Sequence, residues 1–369
     1  MGLPEVRPPS DLDPTPADWP VLVTGASGFV GGHVARELAR AGHQVRGLTR
    51  SAPRVEPGDP PIEWVHGDLR NPADRRLALR GVRGVIHAAS WVRLGADPRG
   101  EGTSVNVEAT RGLLNDCVAS GVERLIYTST LHTLAAGSVE APADEETPWN
   151  LDRVNSTYAQ TKRAAEAMVR DGVGGRLETI ALCPGMVIGA RDRKPTSTRL
   201  LIALARSRVA MLPSGGIPII DARVAALAHR RALVAGEPGR RYALVGPYLS
   251  FRDLASLVKR VAGRPSWTIP IPNACERPMV WCAGWFDRLV GGRWLEVSAA
   301  TVAGGFLQLH VSGARANRAF GLIHPSAAES IEIALRAASG ARIGRELANR
   351  EPAPGDIALN PIAPRVKAL

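Results

Sequence analysis

The chain has 369 residues, 45% of them hydrophobic, enough to bury a full core in one large domain or two unequal ones. Its formal charge of +11 is dispersed, and only four of the 46 cations are lysine, at 162, 194, 259 and 367, so arginine usage rather than a polyanion site accounts for the charge and no nucleic-acid module is read. No apolar run long enough to cross a bilayer, no signal-peptide order and no clustered Cys/His spacing occur, so a cytoplasmic, metal-free chain is expected, with Cys117, Cys183, Cys275 and Cys282 as buried thiols.

Residues 1–18 form a Pro-rich lead-in that is expected to be poorly ordered. Next come VLVTG, a helix-length segment from Val30 to Ala41 and the apolar runs HQVRGLTR, IEWVHGDL and GVIHAAS. Val34, Leu38 and Ala41 share one face of that helix, and Gly42 closes it. Helices over Val107–Ser120 and Tyr158–Arg170 precede the strands RLIYTST and TIALCPG. Strand and helix alternating in this way predict βαβ units and a parallel sheet, which binds ligands at its carboxyl edge.

From about residue 190 the pattern changes. GARDRKPTSTR reads as a polar loop, and a short helix and PSGGIPII take the chain out of the sheet. A return is expected near 216–246, through RRYALVG, and residues 251–340 read as helices with a Pro-rich connection. The expected organisation is therefore a dinucleotide-binding domain over 19–190, a substrate-binding lid from 191–215 and 247–343, and a flexible tail at 344–369. No internal repeat is found.

VTGASGFVGG places Gly25, Gly28 and Gly31 directly after a strand and at the opening of a helix. The first glycine permits the tight turn, the second lets backbone approach a pyrophosphate, and the third lets helix and strand pack closely. With Ser27, Phe29 and Val30, this turn aims the free amides and positive end of the helix at phosphates. At the end of the second strand stand Leu48, Thr49, Arg50 and Ser51, with no carboxylate for a ribose 2′-hydroxyl. Arg50, helped by Ser51 or Arg46, favours NADP(H) as cofactor and leaves NAD(H) open.

Tyr158 and Lys162 lie four residues apart on one helical face. In a chain that writes nearly every cation as arginine, a lysine there points to a task guanidinium cannot do, namely a compact ammonium that lowers the pKa of a nearby phenol.

With these residues in place, the sequence resembles the extended (atypical) short-chain dehydrogenase/reductase family of the NAD-dependent epimerase/dehydratase superfamily. TGASGFVG, GDL, IHAAS, NVEAT, YTST, DEETPW, YAQTK and CPGMVIG carry the resemblance over residues 20 to about 190. Dihydroflavonol-reductase-like and 3β-hydroxysteroid-dehydrogenase-like branches are the most similar. The resemblance implies an α/β Rossmann fold, a doubly wound parallel sheet with a smaller, mostly helical C-terminal lid. It makes Tyr158 the general acid, Lys162 the ligand of the nicotinamide ribose, and Thr130, or next Ser129, the hydroxyl on the substrate oxygen. Asp68 and Leu69 would hold the adenine, Ala88, Ala89 and Ser90 would pass under the cofactor, and Pro184 to Val187 would flank the nicotinamide. Cys183 replaces the family's usual arginine, which leaves that contact open.

The expected activity is hydride transfer to or from a ketone or secondary alcohol of a hydrophobic cyclic compound: a steroid, terpenoid or flavonoid-like ketone. The alternatives are a nucleotide-sugar epimerase with tightly held NAD and a non-catalytic dinucleotide sensor. A 4,6-dehydratase is disfavoured because Leu131 and His132 stand where that branch has an Asp-Glu pair. Residues 278–295, PMVWCAGWFDRLVGGRWL, combine tryptophan with arginine. That composition suits a lid helix over an apolar pocket or a peripheral membrane contact. A homodimer is expected from the fold class alone.

Overall fold

The computed structural model describes residues 19–338 apart from residues 54, 94–96, 98, 155, 193–196, 266 and 291–297. The expected lead-in and tail lie outside the described residues.

The first half runs β1 (Val21–Thr24), α1 (Phe29–Arg40), β2 (Val45–Thr49), β3 (Glu63–His66), α2 (Pro72–Ala78) and β4 (Gly84–His87). A π-helical turn at Thr103–Glu108 opens α3 (Ala109–Ala119), followed by β5 (Arg124–Thr128), α4 (Thr157–Gly175) and β6 (Glu178–Pro184). Beyond them lie β7 (Met186–Ile188), α5 (Ser197–Arg206), β8 (Val209–Leu212), β9 (Gly216–Asp221), α6 (Ala222–Ala235) and β10 (Arg241–Leu244). The chain then forms β11 (Tyr248–Ser250), α7 (Phe251–Val261), β12 (Trp267–Pro270), α8 (Glu276–Val290), α9 (Ala299–Phe306), α10 (Ala314–Phe320) and α11 (Ala327–Ala338).

Seven strands form one parallel sheet in the order β10-β6-β5-β4-β1-β2-β3. All four residues of β1 are buried, as an apolar run covered on both faces requires. On one face α1 packs Val34, Ala35 and Leu38 with Ala225, Ala228 and Ala232 of α6, where the small side chains let the two helices approach closely. On the other face α3 and α4 bury Leu113, Cys117, Ala165 and Val169. Strand order reverses between β1 and β4, and the crevice outside their carboxyl ends is where such sheets take ligands.

One detail differs from the sequence reading, and two sharpen it. Within 216–246 only β10 enters the main sheet, because β9 pairs with β7 and β11 in a separate three-stranded sheet. The C-terminal region is mostly helical, but it also holds a parallel ribbon of β8 and β12, whose inner side joins a core of Leu201, Leu254, Val258 and Ile331. Past Arg170 the chain of α4 turns left-handed at Gly172, Val173 and Gly174, so regular helical geometry stops close to the expected end at Arg170.

Candidate active site

Gly25 has φ +68°, and a Cβ there would lie 2.8 Å from the Ala89 backbone. A Cβ on Gly31 would come within 2.4 Å of the Gly25 carbonyl oxygen. Both positions are therefore closed to a side chain, which lets the turn lie flat against the loop after β4. Gly28 and Ser27 are exposed, Phe29 and Val30 half-buried. α1 begins at Gly28 with no side-chain cap, whereas α2, α4, α6 and α7 are capped by Asn71, Ser156, Asp221 and Ser250. The amides of α1 are thus left for an anion, and these residues fit a dinucleotide pyrophosphate.

The loop over the turn is tied to the helix that carries Tyr158. Ala89 N–H donates to Thr24 Oγ1 (3.2 Å). Asn106, buried in the π-helical turn, accepts from Ser90 Oγ (3.1 Å) and the Trp91 amide (2.8 Å), and donates to Trp91 O (3.0 Å) and to Thr161 Oγ1 on α4 (3.1 Å). One side chain thereby fixes Ala88–Ser90 against α4. Thr24, His87 and Thr110 complete a buried hydrogen-bonded row at 2.7 and 2.9 Å, and burial, with Lys162 nearby, holds the His87 pKa down at about 3.

Ser156 caps α4 by accepting from the Ala159 amide, which sets the first turn and with it Tyr158. Burial raises the Tyr158 phenol above its ordinary range, and a hydrogen bond with the Thr130 side chain partly offsets this. His132 stands edge-on to the same ring, 6.3 Å between centroids. Ser129 is turned the other way: its hydroxyl donates to buried Glu166. Of the two candidate hydroxyls, Thr130 is the one that faces the phenol, since successive residues leaving a strand point to opposite sides.

Lys162 is buried and does not act on the phenol in the way the spacing suggested. Its ammonium donates to the Thr128 carbonyl (2.7 Å) and sits 4.1 Å from the centre of the Tyr127 ring. Burial lowers its pKa to about 7, against a smaller upward pull from Glu166. The expected lowering of the Tyr158 pKa by this ammonium is thus absent here, because desolvation dominates at both groups.

A protein-family model described as the NAD dependent epimerase/dehydratase family matches residues 21–220, the stretch that holds this turn, loop and helix. The chain belongs to that family. It is 29% identical over 317 residues to the 3-beta-hydroxysteroid dehydrogenase of Mycolicibacterium neoaurum, covering 82% of this chain and 86% of the relative. It is also 29% identical over 266 residues to a protein named as a dihydroflavonol 4-reductase in Synechocystis sp., covering 70% and 77%. The crystal structure of gox2253 superposes with a TM-score of 0.76 at 30% identity, over 87% of this chain and 97% of that one. Family and relatives make the protein an NAD(P)-dependent oxidoreductase or epimerase of the extended short-chain dehydrogenase type.

Beyond the end of β2, Arg50 is exposed, and the Arg70 hydrogen bonds, with a smaller contribution from the Arg50 charge, hold the Asp68 pKa below its usual range. Asp68 is chelated by Arg70 at 2.6 Å, and Leu69 is buried beside it. Arg46 cannot assist Arg50: it lies near the amino end of β2, donating to the Ala78 and Arg80 carbonyls and paired with Glu63 at 2.9 Å. At the end of β6 and in β7, Pro184 and Val187 are buried, Val187 within the core shared with α1 and α6.

Behind the site lies a buried group that the motifs did not single out. Glu166, one turn beyond Lys162, accepts from Ser129, approaches Cys183 Sγ at 3.5 Å and pairs with Arg241 of β10 at 3.4 Å. Cys183 thus faces Glu166 and Thr133, and burial pushes its thiol pKa well up. Cys275 is half-buried and Cys282 exposed, which corrects the expectation of four buried thiols; Cys282 falls on the solvent side of α8. Among the described residues no cluster of His, Cys, Asp and Glu could hold a metal, and no helix is long and apolar enough to cross a membrane.

Proposed function

We propose that the protein is an NADP(H)-preferring reductase, or the reverse dehydrogenase, acting on a ketone or secondary alcohol of a hydrophobic cyclic molecule. The observation that carries the proposal is the pairing of Thr130 with Tyr158 at the carboxyl edge of the sheet, with Lys162 one helical turn on. Relatives named for flavonoid and steroid substrates support the substrate class. Arg50 without a neighbouring carboxylate on β2 supports the cofactor preference.

The glycine turn, Arg50, the Ala88–Ser90 loop and Lys162 would hold the dinucleotide, with Asp68, Leu69, Pro184 and Val187 at its two ends. When bound it supplies or takes up the hydride. As negative charge builds on the substrate oxygen, Tyr158 gives up its phenolic proton to that oxygen, forming the new O–H bond. The Thr130 hydroxyl donates a hydrogen bond to the same atom and fixes its position. The phenolate left behind regains a proton from solvent. In alcohol oxidation the same proton travels in reverse.

The test is a turnover screen with NADPH and NADH against cyclic ketones, aldehydes and UDP-sugars, with Tyr158→Phe as control. Reduction of cyclic ketones by NADPH, lost in the variant, is the expected result. Protein that purifies with bound NAD and interconverts UDP-sugars would make it an epimerase. Dinucleotide binding without turnover of any substrate would leave a sensor.

A further inference from the structure

The parallel ribbon of β8 and β12 buries Ala210 and Leu212 and turns its other side outward. Register sets Val209 beside Trp267 and Met211 beside Ile269. These four apolar side chains are 50%, 67%, 66% and 50% exposed, in that order, so they form one uncovered patch on a face that strand alternation would normally make polar.

Because the two strands run parallel, the segments that precede them enter at the same end of the ribbon. Arg206 and Arg208 precede β8, and Arg260 and Arg264 precede β12. All four are exposed, and none has a carboxylate partner among the described residues. The stretches 206–213 and 260–272 contain no Asp or Glu at all. The other end of the ribbon leads into α8, whose Trp281 and Trp285 are 70% and 56% exposed.

We propose that this ribbon is a docking surface for an anionic lipid bilayer, with Trp267, Ile269 and Met211 entering the interface and the four arginines meeting lipid phosphates. Tryptophan suits the headgroup level, where its ring is half apolar and its N–H stays hydrated, and guanidinium binds phosphate through two parallel hydrogen bonds. A second copy of the chain would bring the same four cations and no acidic row to meet them. Nucleic acid would match the charge and leave the apolar patch without a partner. The inference does not depend on the catalytic reading.

Flotation of the full chain with vesicles tests it. The chain should float with equal parts phosphatidylcholine and phosphatidylglycerol, stay behind with phosphatidylcholine alone, and be released by salt. Trp267→Glu should lower partitioning on the order of tenfold, and Arg208→Ala about fivefold. Ile323→Glu, at an exposed isoleucine elsewhere on the surface, should float as the wild type does. Melting temperatures matching wild type would show that the variants are folded. Failure to float with anionic vesicles, or Trp267→Glu floating like wild type, would overturn the proposal. So would a dimer that Trp267→Glu splits in a chain that does not float, which would give the face to a second copy.

Discussion

Lys162 places its ammonium 4.1 Å from the centre of the Tyr127 ring, buried between α4 and the sheet. The hydrogen bond to Thr128 and the aromatic face compensate only part of the lost hydration, so the charged form is disfavoured and the folded-state pKa falls from 10.5 to about 7. A lysine depressed in the folded state binds fewer protons than the unfolded chain between those two values, so stability from this group rises with pH across that window and is flat below it. Wild type should therefore gain on Lys162→Met between pH 7 and about 10, by up to ~1.4 kcal/mol per pH unit. Thermal melting of both ligand-free proteins over that range checks it, and parallel curves would refute it.

The raised Tyr158 pKa keeps the phenol protonated through neutral pH, which is the form that ketone reduction consumes and alcohol oxidation lacks. The expected kcat/KM is level for reduction through neutral pH and climbs with pH for oxidation. Tyr158→Phe should remove both dependences and about 10³-fold of the rate while leaving dinucleotide affinity intact. A pH–rate profile in both directions reads this, and an oxidation rate independent of pH would count against Tyr158 as the acid.

Thr130 and Ser129 separate cleanly by substitution. Thr130→Ser keeps a hydroxyl against the phenol and should keep most activity, whereas Thr130→Val should lower kcat about 100-fold with folding unchanged. Ser129→Ala should instead lower the melting temperature, by removing a donor from buried Glu166. Equal kcat in Thr130→Val and wild type would exclude Thr130.

Gly31→Ala pushes a methyl group to 2.4 Å from the Gly25 carbonyl oxygen, and no flexible side chain is there to give way. A destabilisation of about 1–3 kcal/mol and weaker dinucleotide binding should follow. Gly284→Ala in α8, where the nearest neighbour is Ala299 at 3.7 Å, is the matched control and should be neutral or slightly stabilising. Calorimetry with and without NADPH distinguishes them.

Arg50→Asp should exchange cofactor preference, because a carboxylate repels a 2′-phosphate and accepts from a 2′-hydroxyl. The ratio of kcat/KM for NADPH to that for NADH is the measurement, and an unchanged ratio would mean that Arg50 does not read the cofactor.

The sheet and the two motifs were legible because each is local: glycines at a strand-to-helix turn, and a tyrosine and lysine one helical turn apart. Contacts between distant segments were not. Asn106 sits inside the NVEAT motif, yet its grip on Ser90, Trp91 and Thr161 joins residues 15 to 55 positions away. Glu166 reads as an ordinary helical carboxylate until β10 brings Arg241 against it. The spacing of Tyr158 and Lys162 was right and the implied electrostatics were not, because spacing gives a face of the helix and says nothing of the depth at which the ammonium is buried. Arg46 failed as a partner for Arg50 for a related reason: the three positions between them make up most of β2.

α1 starts without a capping side chain, so part of its hydrogen bonding has to arrive from outside the polypeptide. A nucleotide that fills this gap binds the native form alone, and the free energy of unfolding then grows with the logarithm of its concentration. Protease resistance of this protein in a cell should accordingly follow the size of the dinucleotide pool, which couples its lifetime to the redox supply it draws on.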